Sequence, residues 1–282
     1  MIVGVVSPGA MGSAVGAALV RGGARVVATV EGRSDRTAWL AARGELELLP
    51  ELTSVVREAD VVLSIVPPEA APDVAAGVLR AATPGTLFVD LNAIAPGTAR
   101  SIAEAAAATG HDVVDGSISG PPPWNPATTR IYLSGARAGE VAELPFEGVD
   151  TIVVGEDVGS ASAVKMSTAS VYKGSTAILA QALLSARRNG VLEHVLADLR
   201  LGAPELVARV ERRLASSATK AHRYVGEMHE IASTQGDVGL EPSLFEAMAR
   251  VYWRLAETPL ARGNPEELPD ELSLDDVLDG LR

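Results

Sequence analysis

Residues 2–30, IVGVVSPGAMGSAVGAALVRGGARVVATV, decide the fold. Ile2 to Val6 is a short apolar run, suited to a strand buried on both faces. Ser7 to Gly23 is a glycine-rich turn opening into an Ala-rich helix, and Arg25 to Val30 is a second strand. The turn reads Ser7-x-Gly9-x-x-Gly12, then Gly16, against the dinucleotide pattern G-x-G-x-x-G. Gly9 lets a backbone approach a pyrophosphate, and Gly12 lets helix and strand pack closely. Free amides at the helix N-terminus suit phosphates. A lone glycine pattern is weak, and its first glycine is a serine here. Its position between a strand and a helix is what separates it from a plain tight turn.

The second strand ends in Glu31-Gly32-Arg33-Ser34-Asp35-Arg36. An acidic residue here serves the ribose hydroxyls of NAD, whereas Arg and Ser just beyond suit the 2′-phosphate of NADP. Glu31 carries the first signal. Arg33, Ser34 and Arg36 carry the second, which favours NADP over NAD. The alternative is an ordinary solvated loop.

Outward from this unit the alternation continues. Strands are expected over 61–66, 86–90 and 112–117, with helices over 69–80 and 97–109 between them. Such alternation gives a parallel, doubly wound sheet with right-handed crossovers. Ligands then lie beyond the carboxyl ends of the strands, at Ser7–Gly9, Val66–Pro68, Asp90–Asn92 and 116–120. Two further strands, at 130–134 and 151–154, close the domain at its edge.

From Glu156 to Gly190 one long helix is expected, free of proline. Its only charges between Val158 and Ala186 are Lys165 and Lys173. About 30 residues at 1.5 Å each span on the order of 45 Å, enough to leave one domain and form the spine of another. Ser162, Thr168, Ala169 and Tyr172 share or flank the face of Lys165. A lysine desolvated among small neighbours has a depressed pKa and exchanges protons near neutrality. The alternative is a packed stem with its ammonium in water. Beyond Gly190 the chain reads as helices at 192–200, 204–217, 220–235 and 242–257. A short helix after Ser273 closes the acidic tail. The fold expected is α/β: a dinucleotide-binding Rossmann domain over 1–156 and an all-α domain over 157–282, joined by the long helix.

Composition narrows the function. The 282-residue chain carries a net charge of −12 and no dense basic run, which argues against nucleic acid or an anionic membrane as partner. It has no cysteine, and its four histidines (His111, His194, His222, His229) lack metal-ligand spacing, so no metal is expected. Residues 1–20 are uncharged but have no basic leader, and Ser7-Pro8-Gly9 breaks the apolar run. A soluble cytoplasmic protein is the expectation.

Taken in order, the motifs resemble the β-hydroxyacid dehydrogenase superfamily, which includes 3-hydroxyisobutyrate dehydrogenase, 6-phosphogluconate dehydrogenase and the imine reductases. GVVSPGAMG resembles its G-x-x-G-x-G-x-M-G opening, which implies a cofactor site at Ser7, Gly9, Ala10, Met11 and Gly12. SIVPP resembles the strand ending over the nicotinamide and implicates Val66 and Pro67. VDLNAIAPGTAR and DGSISGPPP resemble the segments that place Asn92 and Ser119 beside cofactor and substrate. KMSTASVYKG resembles the segment carrying the catalytic lysine, which falls on Lys165. The chain departs from the pattern at Ala169, where the family has asparagine, and at Pro121, where it has glycine. With HRYVGEMHEI further on, it is similar to a 6-phosphogluconate dehydrogenase-like branch with its own helical C-terminal domain.

The resemblance implies an NADP-dependent dehydrogenase acting on a small polar hydroxy-acid, aldehyde- or keto-acid substrate in the interdomain cleft. Lys165 would be general acid/base, with Asn92 and Ser119 orienting the reactants. Thr168, Tyr172 and Lys173 are further candidates on the same helix. A homodimer is expected, formed through the helical domain with Ile178, Leu179, Leu183 and Leu184 on the shared surface. Imine reduction is the alternative among enzymes. A non-catalytic NADP-binding protein, with Ala169 and Pro121 as lost contacts, is the alternative outside them.

Overall fold

The computed structural model describes residues 1–125 and 128–281. Two compact units divide the chain, Met1–Met166 and Ser167–Arg282.

In the first unit the elements run β1 (Ile2–Val5), α1 (Ala10–Arg21), β2 (Arg25–Ala28), α2 (Asp35–Arg43), β3 (Glu47–Leu48) and α3 (Leu52–Glu58). Next come β4 (Val61–Ser64), α4 (Ala71–Ala81), β5 (Leu87–Asp90), α5 (Pro96–Ala107) and β6 (Val113–Ser119). The unit ends with β7 (Thr129–Ser134), α6 (Ala138–Ala142), β8 (Val149–Gly155) and the start of α7 (Ser160–Arg188).

The strands form one 8-stranded sheet in the order β3-β2-β1-β4-β5-β6-β7-β8. Every neighbour pair is parallel except β6–β7. The first six strands thus have the doubly wound order of dinucleotide-binding domains, reversing between β1 and β4. Successive strand residues feed opposite cores. Val3, Val5, Leu63 and Val89 pack with Val15, Leu19 and Val141 on one face. Val6, Val62 and Phe88 pack with Val56, Val78 and Ile102 on the other. Each such buried side chain contributes about 1.5–3 kcal/mol, which explains why strands covered on both faces read as unbroken apolar runs.

Two helices, α2 and α3, lie where no helix was expected. Ser34 starts α2, its hydroxyl accepting from the Thr37 amide. The long helix is shorter than the expected 156–190. Gly155 and Gly159, with φ 158° and 103°, interrupt the backbone before it. It ends in a Schellman arrangement: Val191 N donates to Ala186 O, Gly190 N to Arg187 O, and Gly190 has φ 71°.

The second unit holds the rest of α7, then α8 (Leu192–Gly202), α9 (Pro204–Val207), α10 (Val210–Ala218), α11 (Ala221–Asp237), α12 (Ser243–Ala256) and α13 (Leu274–Gly280). The single helix expected over 204–217 is two, because Arg209 takes the left-handed conformation with φ 52°. Tyr252 of α12, fully buried, donates to the Lys173 carbonyl of α7 at 2.8 Å and ties these helices together. Leu179 and Leu183 are buried inside the unit. That corrects the surface expected for dimer contact, of which Ile178, at 59% exposure, is the large apolar side chain left outside.

Candidate active site

The residues predicted to hold the cofactor converge at the reversal of strand order. Val5 of β1 pairs with Leu63 of β4, so the turn Ser7–Gly12 and the segment Val66–Pro67 leave the sheet side by side. A Cβ on Gly12 would lie 2.0 Å from the Ser7 carbonyl oxygen, so only glycine allows this turn. No residue from 7 to 12 has a positive φ, which explains why serine is tolerated where the pattern has its first glycine. The Ser13 hydroxyl donates to the Pro8 carbonyl and pins the turn from inside the helix.

A Cβ on Gly9 would meet nothing within 4 Å. Helix α1 has no side-chain cap on its first turn, and no acidic residue there. Amides at Ala10 and Met11, the positive end of the helix dipole and an open approach at Gly9 fit a pyrophosphate.

At the end of β2, Glu31, Arg33 and Ser34 are exposed on one short loop that turns at Gly32, with φ 66°. The Arg33 guanidinium takes no partner among the described residues. Ser34 divides its role, since its hydroxyl already caps α2 at 3.4 Å.

Asn92 is buried, and its amide is committed to the scaffold. Its Oδ1 accepts from the Val66 amide at 2.6 Å, while Nδ2 donates to Ser64 Oγ at 3.0 Å and Asp90 Oδ2 at 2.9 Å. The Asn92 backbone N–H in turn donates to Asp90 Oδ1 at 2.9 Å. Asn92 therefore joins the ends of β4 and β5 and sets the course of the chain at Val66. Two predicted site residues are brought into direct contact here, with Ser64 and Asp90 as the supports.

Lys165 is held at the end of β6. Its Nζ donates to the Ile118 carbonyl at 2.6 Å, one peptide bond before Ser119, which is half-buried at the strand's end. Burial pushes the Lys165 ammonium below the usual lysine range. The start of α7 is fixed by a group that sequence reasoning did not single out. Asp115, fully buried, accepts from the amides of Gly159 (2.9 Å) and Ser162 (3.0 Å) and from the hydroxyls of Ser134 (2.9 Å) and Ser162 (2.6 Å). A carboxylate at a helix N-terminus is favoured by the dipole and by the open amides. The signal was available, because an aspartate inside an apolar strand needs partners. After Ser119 the chain turns at Gly120, with φ 117°, where a Cβ would sit 2.7 Å from the Thr128 carbonyl.

In the helical unit Lys173 pairs with Glu227, both largely buried, and its Nζ lies 4.4 Å from the Tyr224 ring centre. Lys173, a further candidate on the long helix, is thus engaged in an intramolecular ion pair. Tyr172 is 67% exposed. Ala169 is buried. Among the described residues no cluster of three or more His, Asp or Glu could hold a metal ion, and no helix is long and apolar enough to cross a membrane.

Residues 2–144 match the family described as the NAD binding domain of 6-phosphogluconate dehydrogenase, and 186–255 match a domain of unknown function, DUF1932. A conserved protein of unknown function, whose solved structure was described as similar to 3-hydroxyacid dehydrogenases, is 30% identical. The match covers 93% of this chain and 98% of that one, with a TM-score of 0.67. The 2-(hydroxymethyl)glutarate dehydrogenase of Eubacterium barkeri is 29% identical over 131 residues, 44% of this chain and 42% of that protein. The Mycobacterium tuberculosis 3-hydroxyisobutyrate dehydrogenase, solved with L-serine, shares the fold at 22% identity. Its TM-score is 0.72, with 100% of this chain and 99% of that one covered.

Proposed function

Because the chain belongs to the family built on the NAD binding domain of 6-phosphogluconate dehydrogenase, we propose that it is an NADP-dependent oxidoreductase acting on a small polar hydroxy acid or its carbonyl partner. The observation that carries the reading is Lys165, desolvated and hydrogen-bonded to the Ile118 carbonyl beside Ser119. A bound nicotinamide would supply the hydride acceptor for the carbon bearing the hydroxyl, or the hydride donor for the carbonyl.

The residues of this chain divide the remaining work. The amides of Ala10 and Met11, approached over Gly9, bind the pyrophosphate. Arg33, supported by Ser34, would take the 2′-phosphate, and Glu31 would hold the ribose. Val66 and Pro67 would hold the nicotinamide, and Asn92 would act through Val66 as a positioning residue. Ser119 orients the substrate by its hydroxyl. Neutral Lys165 takes the hydroxyl proton at Nζ in oxidation, and the ammonium returns it in reduction. Burial lowers the pKa of Lys165, which favours the neutral base relative to an ordinary lysine. The name of the Eubacterium barkeri relative supports a hydroxy acid as substrate. The proposal includes a homodimer, which exposed Ile178 on α7 supports, and a cytoplasmic location.

The test is oxidation of NADPH by the purified chain with a panel of aldehyde acids and keto acids, and cyclic imines beside them. Turnover of an acid supports the proposal. Tight NADPH binding without turnover of any substrate leaves a cofactor-binding protein and overturns it. Turnover of imines alone would make the chain an imine reductase.

A further inference from the structure

The helical unit contains a cavity of about 420 Å³ bordered by α7, α10 and α11. This lies within the range of small-molecule sites. Two cations, Lys173 and Arg213, line it, and no carboxylate does, although the whole chain carries a net charge of −12. The Lys173 charge is answered by Glu227, outside the lining.

Arg213 is different. Its Nε donates to Thr176 Oγ1 at 2.7 Å, and its Nη2 donates to Ser175 Oγ and, at 3.3 Å, to the Tyr172 carbonyl. Its Nη1 reaches only the Leu206 carbonyl, at 3.5 Å, the outer limit of a hydrogen bond. All four partners are neutral, and among the described residues no acid pairs with this guanidinium. Its neighbours therefore fix the orientation of the plane and leave the charge and part of Nη1 unanswered. A guanidinium does not escape that cost by losing its proton. Burial pulls its pKa down, the direction expected of a cation short of a counter-charge.

The other walls select the shape of an occupant. The hydroxyls of Ser217 and Tyr224 can donate to an oxyanion, while Leu206 supplies apolar surface and Tyr172 stands exposed at the side. We propose that this cavity binds an oxyanion, carboxylate or phosphoryl, carried on a short apolar body, with Arg213 supplying the charge-assisted hydrogen bonds. The site goes beyond hydride transfer and does not rest on it, since every residue named belongs to the helical unit and the readout is binding.

The test is calorimetric titration of the full chain with phenylphosphonate, and with benzyl alcohol as the uncharged counterpart. Phenylphosphonate is expected to bind at least about tenfold more tightly than the alcohol, on the scale of a charge-assisted hydrogen bond. Arg213→Gln should lower the phenylphosphonate affinity by about tenfold or more. Ser217→Asp places a carboxylate in the lining while keeping Arg213, so it should fold and should abolish binding. This variant decides the matter should Arg213→Gln unfold. Phenylphosphonate binding equal to that of the alcohol, or undiminished in Ser217→Asp, would overturn the proposal.

Discussion

Lys165 Nζ donates a 2.6 Å hydrogen bond to the carbonyl oxygen of Ile118, which holds the amine one peptide bond from Ser119. The bond aims the side chain without neutralising it, because a carbonyl carries no formal charge. Lys165→Met keeps most of the stem's volume and removes only the titrating head. Turnover should fall by about 10²–10⁴, the usual worth of a positioned acid-base group, with NADPH affinity unchanged. The pH profile for alcohol oxidation should lose a limb that rises, in the wild type, at a pH below 10.5. Unchanged turnover with the limb intact would make Lys165 a structural lysine.

The same shift makes a prediction about stability. Burial lowers the pKa of Lys165 in the folded state below its unfolded value of 10.5. Between those two values the unfolded chain binds more protons, so this residue's contribution to stability rises with pH. Below the folded pKa the charged lysine is a net cost. Chemical denaturation should find Lys165→Met more stable than wild type at neutral pH, by a margin that shrinks as pH approaches 10.5. A margin independent of pH would show that the lysine titrates normally.

Gly9 and Gly12 separate binding from folding. A Cβ at Gly12 collides with the Ser7 carbonyl at 2.0 Å, whereas one at Gly9 enters open space. Gly12→Ala should therefore lower the melting temperature. Gly9→Ala should leave it unchanged and weaken dinucleotide binding, because the methyl group occupies the approach to the α1 amides. Equal dinucleotide affinity in wild type and Gly9→Ala, measured by fluorescence titration, would remove the turn from the cofactor site.

The proposed preference for NADP rests on Arg33, exposed and without an intramolecular partner among the described residues. NADP should bind about tenfold or more tightly than NAD, and Arg33→Ala should reduce that preference by about 1–3 kcal/mol, the scale of a charge-assisted hydrogen bond. Equal wild-type affinities for the two cofactors would instead assign the loop to Glu31 and a ribose.

Asp115 anchors the start of α7 through four hydrogen bonds. Asp115→Ala leaves buried donors at Gly159 and Ser162 without their acceptor, at a cost of about 2–4 kcal/mol. Urea unfolding should show that loss. Residual folded enzyme should also turn over more slowly, since Lys165 lies one turn beyond the first turn of α7 that Asp115 secures. Full stability in this variant would mean that water or Ser134 replaces the carboxylate.

Much of the fold was legible before any coordinate. The apolar runs at 2–6, 61–66 and 86–90 are strands because burial on both faces leaves no room for polar positions. The same density of glycine marks the turn at Gly12 and the end of α7 at Gly190, where only a missing Cβ or a left-handed backbone will serve. Lys165 was conspicuous because a long helix almost free of charge had to be covered. These features depend on side chains within a few residues of one another, so the linear order carries them. Helix α2 was missed because its capping serine stood in a charged stretch that reads as a cofactor-binding loop.

What the chain's order could not disclose is who answers whom. Asn92 stood in the right segment, yet its amide is taken up by Ser64, Asp90 and Val66, which other strand ends deliver. Lys173 meets Glu227, and Arg213 meets Ser175 and Thr176 with no acid beside it. Asp115 meets the first turn of α7. Each is a contact between residues far apart in sequence, made when the packing of apolar surfaces fixes a register that no local pattern encodes. Burial then turns each contact into a large electrostatic consequence, since a charge or amide withdrawn from water must find its partner inside the protein or bear the cost of having none.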